Sequence, residues 1–119
     1  MTGVLDLGHP RSELRRRLVG LVLAGEKTAT AGLASEETAL PAVGERLTLL
    51  GYDDEPAGVV EVTEARIVPA AAIDDAFARD EGEGFADAEE WRAAHERFFE
   101  RPIAPETAIE AIRFRLVAG

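Results

Sequence analysis

Apolar positions along the chain switch between a helical and a strand period. Leu14, Leu18, Leu21 and Val22 recur at helical spacing, with arginines on the other face, which predicts a helix. Ser12 caps it, it runs through about Ala24, and Gly25 stops it. "TATAGL" then reads as a short strand, because threonines suit a pleated surface. Arg46 to Leu50 predicts the next strand, "GYDDEPAG" a turn, and roughly Gly58 to Val68 a strand long enough to bend around a small barrel. "AAAIDDAFARDEGEG" predicts a short helix ending at a glycine-containing loop. Asp87 with Glu90 three residues on has the form of a capping box, and Trp91, Ala94, His95, Phe98 and Phe99 then share one helix face. Ala108 to Val117 alternates as a last strand. Helix, strands, helices, strand is the order of an α+β domain with a small, mostly antiparallel sheet or barrel.

Composition adds limits. At 119 residues and 46% apolar, the chain predicts one globular domain over residues 1–119. It has no cysteine, so it has neither a disulfide frame nor a thiolate metal site. No run is apolar for long enough to span a bilayer, and the start, "MTGVLDLGHPRSEL", lacks the layout of a signal peptide. The expectation is a cytoplasmic protein with no membrane partner, a monomer or weak dimer. A formal net charge of −10 opposes duplex DNA binding, which depends on many Lys and Arg contacts to phosphate. Arg11, Arg15, Arg16 and Arg17, and the pair Arg113 and Arg115, read as a solvated helix face and an exposed strand face rather than an RNA-tracking patch.

Three groups of residues are candidates for chemistry. Lys27, Thr28 and Thr30 follow the first helix: an amine that binds an anion or acts as a base, and hydroxyls that can serve as nucleophiles. Taken by spacing alone they are a helix-exit lysine and strand threonines. Asp80, Glu81 and Glu83 alternate with Gly82 and Gly84, as acid/base groups or as a solvated acidic loop without EF-hand spacing. Trp91 and His95 stand four apart on a helix, as a wall for a planar ligand or as core aromatics with one satisfied histidine. With His9 the only other histidine, a multi-histidine metal site is not expected.

Taken in order, "GEKTAT" (Gly25 to Thr30), "PAVG", "FARDEGEG" (Phe77 to Gly84) and "WRAAHERFF" (Trp91 to Phe99) resemble the ASCH domain family. The resemblance runs from about Leu14 to Val117 and implies a PUA-like fold: a small β-barrel flanked by helices, with a cleft beside it. The family is associated with RNA or nucleoside recognition. One branch hydrolyses the acyl amide of N4-acetylcytidine, and ribonuclease activity is attributed to another. By motif position, the working set of the amidohydrolase branch falls on Lys27, Thr30 and Glu81.

The resemblance thus implies a hydrolase that uses neither metal nor other cofactor. Lys27 takes the proton of Thr30, Thr30 attacks the amide, and Glu81 positions the exocyclic nitrogen or shuttles a proton. Thr28, Glu83, Trp91, Arg92 and His95 are the expected substrate contacts, and a modified nucleoside or single-stranded RNA the expected partner. The alternatives are a non-catalytic RNA- or nucleoside-binding module in the same cleft, or a ribonuclease in which His95 joins Lys27 and Glu81. The chain departs from the amidohydrolase branch at Gly32, where that branch carries an arginine, and at Phe85, where many of its members carry an acid. Arg79, Arg92 and Arg113 are the candidates to supply a guanidinium from elsewhere.

Overall fold

A computed structural model describes residues 3–119. Five strands and three α-helices follow one another as β1 (Gly3–Leu5), α1 (Glu13–Leu23), β2 (Ala29–Leu33), β3 (Arg46–Leu50), β4 (Pro56–Pro69), α2 (Asp75–Asp80), α3 (Ala88–Phe99) and β5 (Ala108–Ala118), with a 3-10 turn at Ala70–Ala72. The strands form one sheet in the order β1-β3-β4-β5-β2. The β1–β3 pair is parallel and the other three pairs are antiparallel.

The expected barrel is not closed. β1 and β2 are the two edges of the sheet and do not pair with each other. β1 has three residues and takes its partners from β3 alone, through Gly3↔Leu47 to Leu5↔Leu49. The fold is therefore α+β with an open, mixed five-stranded sheet. The long β4 pairs with both β3 and β5, and its register against β5 shifts between Val59 and Val60 and between Val62 and Glu64.

Both faces of this sheet are covered, which is why the last strand is apolar on both sides. On one face α1 supplies Leu18, Val19 and Val22 to a core with Leu47, Leu49, Val60, Val62, Ile112 and Phe114. On the other, α2 and α3 supply Phe77, Ala78 and Trp91 to a core with Ala29, Ile73, Ile109 and Ala111. The helix ends obey local rules. Ser12 accepts the N–H of Arg15, Asp74 that of Phe77, and Asp87 that of Glu90. The Glu90 carboxylate reaches back to the N–H of Ala86, one residue before the cap. α1 ends in a Schellman turn: Gly25 has φ +78°, and the Glu26 N–H donates to Leu21 O at 2.9 Å.

Arg15 corrects the solvated-face expectation. It is 1% exposed. Its guanidinium donates to the carbonyls of Leu7, Gly8 and Gly51 and pairs with Asp54. It ties the segment between β1 and α1 to the turn between β3 and β4, so the burial of this charge is repaid by many acceptors. Arg115, by contrast, lies on the exposed face expected of it and pairs with Glu61 at 3.0 Å.

Candidate functional site

The turn that ends α1 turns the chain inward, and Lys27 enters the protein there at 1% exposure. Its ammonium lies between two carboxylates, 2.9 Å from Glu83 Oε2 and 3.4 Å from Glu81 Oε1, and 3.3 Å from the Glu81 carbonyl oxygen. Glu81 is the C-cap of α2 and is equally buried.

The loop that carries both acids is pressed against the lysine segment. The Thr28 N–H donates to Asp80 O at 2.9 Å. A Cβ at Gly82 would stand 2.3 Å from Glu26 O and 2.8 Å from Lys27 Cα, and Gly82 has φ +71°. Only glycine permits this approach. On its far side the loop is tied to α1, where Arg17 donates to Glu83 O at 3.1 Å.

Glu81 is held a second time, from α3. Trp91 Nε1 donates to Glu81 Oε2, and His95 Nε2 lies 3.5 Å from the same oxygen. The two rings stack at 4.4 Å between centroids. His95 Nδ1 is 2.8 Å from the Trp91 carbonyl oxygen, which can only accept, so Nδ1 carries a hydrogen. Burial opposes a charge on His95, but the hydrogen bond and the charge of Glu81 outweigh it, and its pKa is raised above the usual 6.5.

These groups open into a cavity of about 420 Å³. Asp6, Lys27, Thr30, Glu81, Glu83 and His95 form its polar part, and Leu7, Leu14, Leu18, Phe85, Phe98 and Phe99 its apolar wall. Thr30 is also at the edge of a second cavity of about 510 Å³, between β1 and β2. Register places Thr30 and Gly32 on one sheet face with their partners Ile112 and Glu110.

The ladder also fixes which main-chain groups are free. Phe114 N–H donates to Thr28 O, and Ala34 N–H to Ala108 O. By alternation Thr30 and Gly32 turn their main-chain groups to β5, and Ala31 turns its N–H to the open edge. Ala31 lines both cavities and packs in part against the second core.

The expected site residues are thus divided. Lys27, Thr30, Glu81, Glu83 and His95 come together at one cavity. Trp91, 1% exposed, stands behind Glu81 rather than in the cavity wall. Thr28 is occupied with Asp80 O, and Arg92 lines a separate recess with Ala70, Ala88 and Pro105. Of the arginines considered as replacements, Arg79 donates to Ala86 O and Arg113 pairs with Asp80 at 2.5 Å. None of Arg79, Arg92 and Arg113 lines either cavity. Sequence reasoning missed Phe85, Ala31 and the Asp6–Leu7 segment as cavity lining. No signal marks Asp6 and Leu7, because they reach the site through the three-residue β1.

Known proteins place this arrangement. The model of the ASCH domain family matches residues 7–118. The structure of an ASCH domain from Lactobacillus crispatus superposes with a TM-score of 0.83 at 21% identity, covering 99% of this chain and 80% of that one. Protein EF3133 from Enterococcus faecalis superposes at 0.84 with 28% identity, covering 99% and 77%. A ZmASCH variant from Zymomonas mobilis is more distant, at 0.55 and 15% identity, covering 83% and 63%. No curated protein matches the chain.

Proposed function

The chain belongs to the ASCH domain family, and within it we propose a hydrolase that cleaves the N-acyl amide of a cytidine-like nucleoside. One observation carries this reading: a buried lysine held by two carboxylates shares a cavity with a threonine on an open sheet edge. A lysine and two acids can move protons. A threonine hydroxyl beside them can attack a carbonyl.

The steps are these. Lys27 passes a proton to Glu83 along their 2.9 Å hydrogen bond, becoming a neutral amine. It then takes the hydroxyl proton of Thr30 as the Thr30 oxygen attacks the amide carbon. The Ala31 N–H, turned to the open strand edge by the ladder, donates to the oxyanion. Lys27 returns its proton to the departing nitrogen, leaving an acyl ester on Thr30, and water hydrolyses that ester with Lys27 again as base. Glu81, fixed from α3 by Trp91, accepts a hydrogen bond from the exocyclic N–H and orients the leaving group.

The charges disfavour the reading as an RNA-binding module. Lys27 is the one lysine or arginine lining either cavity among the described residues, and it is already paired. Asp6, Glu45 and Glu110 line the same cleft. A phosphate backbone would meet carboxylates there rather than the cations that drive such binding. The test is turnover of N4-acylcytidines by the folded protein, with Thr30→Ala beside it. Hydrolysis that depends on Thr30 supports the reading, and its absence across the series overturns it.

A further inference from the structure

The two cavities share a boundary. Asp6, Leu7, Thr30, Ala31 and Gly32 line both. They are one cleft that passes between the open edges of the sheet, with Thr30 at the division. Gly32 keeps the passage clear: a Cβ there meets no atom within 4 Å, so no neighbouring side chain fills the space. Unlike Gly82, Gly32 has no backbone need to be glycine.

Resting on the hydrolase reading, we propose that the substrate carries an acyl group much larger than acetyl, which extends past Gly32 into the second cavity. A nucleophile at the division puts the scissile carbonyl at the division, with one half of the substrate on each side. Glu81 lies in the first cavity, so the leaving amine and its ring belong there, against Phe85 and His95. The acyl chain then points the other way. That compartment measures about 510 Å³, the size of a pocket for a whole small molecule and far more than an acetyl group fills.

Leu40, Pro41, Leu47 and Ile112 give it apolar walls. Glu45 and Glu110 give it negative charge, and burial pushes the Glu110 carboxyl up. The acyl group that fits is apolar and carries no carboxylate of its own.

The test is binding, measured on Thr30→Ala protein so that nothing is consumed. Calorimetry would follow N4-acetyl-, N4-butanoyl-, N4-hexanoyl- and N4-succinylcytidine. Each methylene that is buried adds about fourfold in affinity. The proposal expects butanoyl roughly tenfold or more above acetyl, hexanoyl tighter again, and succinyl below butanoyl. Gly32→Leu in the same background narrows the passage and removes the gain from chain length. Equal or absent binding across the series, or a length dependence that Gly32→Leu leaves intact, overturns the proposal. Failure of the hydrolase reading is seen separately: the unsubstituted protein binds the longer acyl compounds and does not turn them over.

Discussion

Trp91 donates its indole N–H to Glu81, across ten residues of sequence and from a different helix. This one contact explains how a carboxylate 1% exposed is kept in place: one oxygen is held from α3, while the other faces Lys27. Trp91 props the acid from behind, and the His95 ring stacked on it reaches the cavity. Replacing Trp91 by Phe keeps most of the packing but removes the donor. A lost hydrogen bond to a charged acceptor costs roughly 1.5–3 kcal/mol. Chemical denaturation should show a loss in that range. A Trp91→Phe protein as stable as the parent would mean that the indole N–H is not holding Glu81.

His95 supplies a pH signature. Its folded-state pKa lies above 6.5, so its ion pair with Glu81 stabilises the fold fully below the unfolded-state value. That contribution is lost as pH rises through the raised folded-state value. The stability gap between the parent and His95→Gln should therefore be widest below pH 6.5 and shrink as the pH rises above it. Nuclear magnetic resonance of the imidazole should give a midpoint above 6.5. A midpoint at or below the ordinary value would contradict the pairing.

Gly82 is required by geometry and Gly84 by conformation alone. Both have positive φ, +71° and +94°, but only at Gly82 would a Cβ strike the Glu26 carbonyl, at 2.3 Å. Gly84→Ala should lose about 1 kcal/mol. Gly82→Ala should lose clearly more, and should also disturb Lys27, because the acidic loop must back away from it. Thermal unfolding of the two variants gives the ranking, and equal losses would refute it.

Removing Lys27 leaves Glu81 and Glu83 without the ammonium that stands between them. Breaking a buried pair from one side costs roughly 3–5 kcal/mol. Lys27→Met should be among the most destabilising substitutions in the protein, and Lys27→Met with Glu83→Gln should recover part of the loss. If Lys27→Met unfolds at the parent's denaturant concentration, the buried cluster does not contribute to stability. Loss of activity in Lys27 or Glu81 variants therefore mixes chemistry with folding.

Local rules were easy to read in the sequence. Asp87 and Glu90 announced α3, Ser12 and Gly25 bounded α1, and Arg46–Leu50 showed its own period. β1 was not legible, since three residues cannot display an alternation and Gly3–Leu5 becomes a strand only through β3. The closed barrel was expected from the family resemblance and the length of β4, and whether two edge strands meet is a tertiary matter that no local pattern records. Arg15 looked solvated because a helical arginine next to two others carries no mark of its distant acceptors, Gly51 O and Asp54.

The candidate site was half legible. Lys27, Thr30 and Glu81 were picked out by resemblance in motif order, not by any property of their own spacing. The aromatic spacing of Trp91 and His95 was visible, but their partner is set by how α2 and α3 pack. The gap between β1 and β2 that makes the cleft is purely tertiary.

Thr30 allows the most direct test of the central claim, since it makes no side-chain hydrogen bond among the described residues and can be changed without breaking the buried cluster. The measurement is turnover of N4-acylcytidines by the parent, Thr30→Ser and Thr30→Ala proteins, with thermal unfolding of each. The account predicts equal melting temperatures, turnover by the parent, reduced but measurable turnover by Thr30→Ser, and a loss of at least about a hundredfold in Thr30→Ala. A folded parent that turns over nothing, or a Thr30→Ala protein as active as the parent, would contradict it.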